Sequence, residues 1–91
     1  MAPVSTLNLT HAIRVRNTTG VSQELWIEPL GDRVILAPDV LYELAATDAL
    51  EEIDFSIDGF TVHGWVVRVS AIDDQGNTQT IWECPTKRYV D

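Results

Sequence analysis

The two histidines and the single cysteine are the residues best suited to catalysis or to binding a soft metal. A blue-copper site needs two imidazoles and a thiolate, usually with a weak axial methionine. Cys84 is followed by Pro-Thr-Lys with no nearby histidine, the histidines are His11 and His63, and the one methionine is Met1. The sequence therefore predicts no metal site and no cofactor, and we interpret Cys84 as a small buried apolar side chain.

His63 is the candidate general base for nucleophilic catalysis, with a serine or Cys84 as the nucleophile. Carboxylates that could orient it are abundant in so acidic a chain, so their presence says little, and no G-x-S-x-G elbow occurs. We predict that the protein is not an enzyme, with a small hydrolase using His63 as the alternative.

The candidate binding residues are centred on the tryptophans. Glu24, Trp26 and Glu28 alternate along one strand, so a ligand there meets an indole flanked by carboxylates, which suits a cationic side chain or the apolar face of a sugar. The other candidates are His63, Trp65 and Trp82. Two readings stay open: an exposed aromatic platform, which includes a carbohydrate-binding module, or a face covered by the tail or another subunit.

The charge of the chain limits its partners. Fourteen acidic residues against six basic ones give a net charge of -8, and no Lys or Arg lies between Arg33 and Arg68. Such a field repels phosphate, so we predict no nucleic-acid partner and no anionic membrane. The acidity serves solubility or docking to a basic partner.

The elements that must position these residues are short strands. From Leu25 to Leu44, three apolar runs are separated by Glu-Pro-Leu-Gly-Asp and Ala-Pro-Asp, which predicts an antiparallel meander. Before it, we expect His11–Arg16 and Ser22–Glu28 to form a hairpin around Asn-Thr-Thr-Gly.

The second half of the chain continues the β pattern. We expect one helical turn near Asp48 to Glu52, a strand with Ile53, Phe55 and Ile57 on one face, and one long strand from Phe60 to Ile72 whose phase slips at Gly64. Asp73 to Asn77 has enough oxygen atoms for calcium but lacks EF-hand spacing, so we interpret it as a hairpin turn before the last strand, Thr78 to Glu83.

Together these elements predict an all-β fold of about seven antiparallel strands in a β-sandwich, Ig-like or cupredoxin-like in architecture, without a metal site. One domain spans residues 1–91, with arms at 1–9 and 85–91. The N-terminus shows no secretory signal, and one cysteine fits a reducing compartment, so we predict a soluble cytoplasmic protein. We expect a non-catalytic protein-binding or self-associating module, with a homodimer paired through strand edges and the outward Trp26.

The segment from Val15 to Tyr42 carries Asn17-Thr18, then Leu-Trp-Ile-Glu-Pro-Leu-Gly, then Leu-Ala-Pro-Asp. It resembles a group of small, uncharacterised bacterial proteins with an N-T-x-x-x-x-x-x-L-x-x-E-P-x-G core. In that group a glycine often follows Leu-x-Pro, where this chain has Asp39. The resemblance implies a bacterial, cytosolic, all-β protein and implies no activity.

Overall fold

The computed structural model describes residues 11–85, which form eight strands and no helix. The predicted arm at 1–9 lies outside the described residues, as does the predicted arm at 85–91 except for Pro85. The strands are β1 (His11–Arg16), β2 (Gln23–Glu28), β3 (Asp32–Leu36), β4 (Leu41–Ala46), β5 (Glu52–Ser56), β6 (Gly59–His63), β7 (Val66–Ile72) and β8 (Thr78–Glu83).

The strands form two four-stranded sheets, ordered β1-β4-β7-β8 and β3-β2-β6-β5, which we call sheet A and sheet B. The all-β prediction is confirmed, but the strand number is eight rather than seven. The antiparallel prediction holds for five of the pairs and fails for β2 and β6, which run parallel. Strand direction depends on which strands meet, and a strand's own residue pattern does not record its neighbours.

The predicted hairpin of the first two strands is wrong. β1 pairs with β4 in sheet A, whereas β2 pairs with β3 and β6 in sheet B. The connection crosses between the sheets, and the buried Asn17 side chain anchors it by donating to the carbonyls of Leu36 (3.0 Å) and Val21 (2.7 Å). Asn-Thr-Thr-Gly is a true reversal signal, but such signals do not distinguish a hairpin from a crossover between sheets.

The predicted long strand from Phe60 to Ile72 is two strands in different sheets. Gly64 N–H donates to the Glu28 carbonyl (3.0 Å) at the end of β6, and the chain then passes into β7 of sheet A. A Cβ on Gly64 would lie 3.0 Å from Leu50 Cδ2 and 3.3 Å from its Cα. Gly64 therefore packs closely against Leu50, and it marks the point where the chain crosses from sheet B to sheet A.

The helical turn predicted near Asp48 to Glu52 is not formed. The backbone instead bends at Thr47 and Asp48, where Thr47 N–H donates to Trp65 O (3.3 Å), and Glu51 N–H donates to His63 O (2.8 Å). Glu52 already belongs to β5. Hydrogen bonds to another segment pair more of the backbone N–H groups here than a single helical turn would.

One apolar core lies between the sheets, an arrangement compatible with a β-sandwich. The alternation predicted for β2 is confirmed: Leu25 and Ile27 are fully buried, and Trp26 faces outward. Both sheets contribute to the core, through Leu25, Ile27, Val34, Leu36 and Val62 of sheet B and Tyr42, Leu44, Val66 and Val69 of sheet A. None of the described residues forms a helix long and apolar enough to cross a membrane.

Candidate functional site

The predicted trio of Glu24, Trp26 and Glu28 lies on the outer face of sheet B, with the Trp26 side chain 39% exposed. Arg33 is the cross-strand partner of Trp26 on β3. Its guanidinium lies 5.8 Å from the centre of the indole ring, and its Nη1 lies 2.7 Å from Glu24 Oε1. The cation predicted to bind this indole is therefore supplied by the chain itself.

Three of the predicted residues, Glu28, His63 and Trp65, line one open cavity of about 640 Å³. Glu28 and His63 are register partners across the parallel β2–β6 pair, so their side chains share the outer face. His63 Nε2 lies 2.9 Å from Asp54 Oδ2 on β5. The sequence did not identify Asp54 as a partner of His63, because the contact depends on the β5–β6 register.

Trp82 lies apart from this cavity. Its side chain packs against the core, and its Nε1 donates to Asp32 Oδ2 (3.1 Å). This bond joins β8 of sheet A to β3 of sheet B. The three tryptophans therefore do not form one platform, and Trp82 closes one side of the space between the sheets.

The residues proposed for nucleophilic catalysis are not brought together. Cys84 is 2% exposed and follows β8, where its N–H donates to Val67 O (3.0 Å) in sheet A. Within residues 11–85, Asp54 is the hydrogen-bond partner of the His63 ring. No thiol or hydroxyl of the described residues is hydrogen bonded to this imidazole.

A second cavity, which we call the β1/β5 groove, opens between the sheets on the side opposite Trp82. Its volume is about 480 Å³, and its apolar lining comes from β1, β3, β5 and β6. Its large apolar lining residues are Ile13, Val15, Leu36, Ile53, Phe55, Ile57 and Phe60. The Phe55 and Phe60 rings lie 6.0 Å apart in its wall.

Two apolar side chains at this groove are almost fully in solvent: Phe55 is 83% exposed and Ile57 is 94% exposed. No other large apolar residue in the range 11–85 is as exposed. The alternation of Ile53, Phe55 and Ile57 suggested one buried face, but only Ile53 is half-buried. The alternation alone did not indicate that Phe55 and Ile57 lie outside the apolar core.

The rims of the groove are edge strands of opposite charge. Among the described residues, β1 pairs with β4 and β5 pairs with β6, and each is the outermost strand of its sheet. The β1 rim carries the exposed Arg14 and Arg16. The β5 rim and the turn after it carry the exposed Glu52, Asp54 and Asp58.

The acidic turn considered for calcium connects β7 and β8 in a hairpin. Asp73 Oδ1 accepts hydrogen bonds from the N–H groups of Asn77 (2.8 Å) and Gln75 (2.9 Å). These bonds, the one from Asn77 foremost, lower the pKa of the exposed Asp73 carboxyl below its usual value. The carboxylate therefore has a structural role in the turn.

Comparison of the chain with protein-family models, curated protein sequences and solved structures found no match. The resemblance of residues 15–42 to a group of small bacterial proteins remains a sequence-based expectation.

Proposed function

We propose that this protein is a non-catalytic, self-associating module that forms a homodimer through the β1/β5 groove. The observation that carries the proposal is the exposure of Phe55 (83%) and Ile57 (94%) beside an apolar cavity between two edge strands, β1 and β5. Exposed apolar surface of this kind marks an interaction site, and a free strand edge favours pairing with another strand.

The charges of the rims favour a second copy of this chain as the occupant. A strand that pairs with β5 should be basic, because Glu52, Asp54 and Asp58 lie there, and a strand that pairs with β1 should be acidic. A second copy related by a two-fold axis parallel to the strands meets both demands. Its β1 would lie beside β5 of the first copy, and its β5 beside β1.

The free energy gained by burying these apolar side chains on dimerisation is comparable to the cost of association. Fully burying Phe55 and Ile57 in both copies contributes about 6–12 kcal/mol, at about 1.5–3 kcal/mol for each side chain. The loss of translational and rotational freedom costs about 4–15 kcal/mol. The two contributions are of similar size, so the dimer also needs the new strand pairing between β1 and β5.

The type of β-sandwich and the cellular compartment are part of the same proposal. The two sheets with a shared core support a β-sandwich of Ig-like or cupredoxin-like architecture. The acidic composition and the single cysteine support a cytoplasmic protein, with no nucleic acid or anionic membrane as partner.

The test is the mass of the protein in solution, measured by sedimentation equilibrium over a concentration series. We expect the wild type to approach twice its 10.2 kDa monomer mass as concentration rises. Ile57→Lys should keep the monomer mass without loss of fold, because the Ile57 side chain is 94% exposed in the monomer. The matched control is Ile35→Lys, which places the same charge at a 50% exposed residue on β3, away from the groove.

A wild type that stays at 10.2 kDa at high micromolar concentration would overturn the proposal. So would a dimer that Ile57→Lys leaves intact. Loss of the dimer in Ile35→Lys alone would place the interface on the outer face of sheet B instead.

The alternative is a small hydrolase or a carbohydrate-binding module that uses the cavity of Glu28, His63 and Trp65. A sugar stacked on Trp65 would change tryptophan fluorescence, and a Trp65→Ala variant would abolish that change. We expect titration with simple sugars to leave the fluorescence of the wild type unchanged. A saturable change that requires Trp65 would favour the alternative.

A further inference from the structure

Three side chains of the kinds that bind transition metals meet on the outer face of sheet B. The potential ligand atoms of Glu52, Asp54 and His63 all lie within 4.8 Å of one another. Glu52 and His63 are register partners across the antiparallel β5–β6 pair, and Asp54 is two residues further along β5. Because residues i and i+2 of a strand share a face, the sheet itself brings the three together.

The ligand set has a chemical preference. An imidazole nitrogen with two carboxylates suits Zn²⁺ and similar first-row divalent ions, whereas Ca²⁺ and Mg²⁺ prefer oxygen ligands alone. Zinc with three protein ligands commonly completes its coordination with water. His63 distinguishes this cluster from the other acidic groups of the chain.

The spacing is close to what a metal requires. Bonds of about 2.0–2.2 Å to zinc place neighbouring ligand atoms about 3.3–3.6 Å apart in a tetrahedron. His63 Nε2 and Asp54 Oδ2 are already 2.9 Å apart. The three side chains are partly or fully exposed, so small rotations of Glu52 and Asp54 complete the geometry without moving the backbone.

The surroundings leave the cluster available to a cation. Within residues 11–85, Glu52 has no basic side chain at ion-pair distance, and Asp54 pairs with His63 alone. Arg33 is engaged by Glu24, at 2.7 Å. The negative charge of the two carboxylates is therefore not neutralised by arginine.

The backbone around His63 is held on both sides. Its carbonyl accepts the Glu51 N–H (2.8 Å), and the following Gly64 N–H donates to the Glu28 carbonyl (3.0 Å). The adjoining cavity of about 640 Å³ has room for water ligands, and it also contains Glu28, the register partner of His63.

We propose that Glu52, Asp54 and His63 form a binding site for a divalent transition-metal ion, with Zn²⁺ the best fit. His63 Nε2 and one oxygen of each of the Glu52 and Asp54 carboxylates are the ligands, and water completes the shell. The ion replaces the His63–Asp54 hydrogen bond and crosslinks β5, an edge strand, to β6. This site lies on the outer face of sheet B, whereas Phe55 lines the groove, although Glu52 and Asp54 also belong to the β5 rim.

The test is isothermal titration of the full chain with Zn²⁺, repeated with Co²⁺ to record the visible spectrum of the bound metal. We expect one ion per chain, and at least about tenfold weaker binding in His63→Ala and in Asp54→Asn. Acidification should also weaken binding, because the ligands must be deprotonated. The matched control is His11→Ala, which removes the other histidine and should bind as the wild type does.

Further variants keep the result decisive. Far-ultraviolet circular dichroism of each variant confirms that it is folded, and Ile57→Lys should bind zinc like the wild type even if it is monomeric, which separates this proposal from the dimer. Cys84→Ser should also bind normally. Equal affinity in the wild type and His63→Ala, or loss of binding in Cys84→Ser or His11→Ala instead, would overturn the site.

Discussion

At the scale of single residues, Trp26 shows what a strand pattern can and cannot predict. Alternation along β2 correctly placed the indole outward beside Glu24 and Glu28. It could not show that Arg33 lies 5.8 Å from the ring centre, because that contact depends on the β2–β3 register. The indole is therefore already occupied by a cation of its own chain, which weakens its case as a docking site for an external one.

Trp26→Ala tests this placement through the free energy of unfolding. We expect a loss of about 1–2 kcal/mol, because the side chain is partly exposed and loses a cation–π contact worth about 0.5–1 kcal/mol. Trp82→Ala should cost about 3 kcal/mol or more, because it removes a ring packed on the core. Urea unfolding of both variants gives the comparison. Equal losses would contradict the placement of Trp26.

Asn17 is a second residue whose role the sequence did not reveal. Its Nδ2 donates to the carbonyls of Leu36 and Val21, and its Oδ1 accepts from Thr19. We expect Asn17→Asp to cost about 1–3 kcal/mol, because it keeps the acceptor but removes both donors. Thr18→Ala, at the exposed neighbouring residue, should change stability by less than about 0.5 kcal/mol. Similar urea midpoints for the two variants would contradict this assignment.

At the scale of elements, the strands themselves were largely predictable and their pairing was not. Alternation and turn residues located β1, β2, β5 and β8 with nearly correct bounds. The parallel contact of β2 with β6 joins residues about 35 positions apart, and local patterns contain no information about such contacts. The crossing of the chain from sheet B to sheet A at Gly64 showed in the sequence only as a break in the apolar–polar alternation.

Gly59 makes the parallel contact of β2 and β6 possible. It has a φ of +157°, and a Cβ there would overlap the Glu24 carbonyl oxygen and lie 2.6 Å from the Glu24 nitrogen. Since backbone cannot move aside cheaply, we expect Gly59→Ala to cost more than about 3 kcal/mol.

Gly76 is the matched control for Gly59. It has a φ of +84° with open space around the Cβ position, so Gly76→Ala should cost only about 1 kcal/mol. Thermal unfolding of the two variants gives the comparison. Comparable losses in both would show that strain in φ, rather than the close approach to Glu24, explains the requirement for glycine.

The Asp73 carboxylate in the β7–β8 turn should make the stability of the protein depend on pH. Hydrogen bonds from backbone N–H groups lower the pKa of Asp73 in the folded state. The ionised carboxylate therefore stabilises the fold above the unfolded pKa of about 3.9, and this stabilisation is lost as the pH falls through the lower folded pKa. Asp73→Asn should be less stable than the wild type at neutral pH, with the difference shrinking below about pH 4. A difference that is constant with pH would contradict this.

At the scale of the whole molecule, the two sides of the space between the sheets differ. The β3/β8 side is joined by Trp82 and Asp32, whereas the β1/β5 side leaves Phe55 and Ile57 in solvent. The sequence predicted open edges and a dimer, but it assigned the apolar contact to Trp26. Which edge is open is a property of sheet order, so only the structure could locate the groove.

The most direct test of the dimer is amide hydrogen exchange followed by mass spectrometry at about 1 µM and at about 500 µM protein, where mass action favours monomer and dimer respectively. We predict that the amides of β1 and β5 exchange more slowly at the high concentration, whereas those of β3 and β8, the other two edge strands, do not change. Exchange that is independent of concentration in β1 and β5, or slower exchange confined to β3 and β8, would contradict the account.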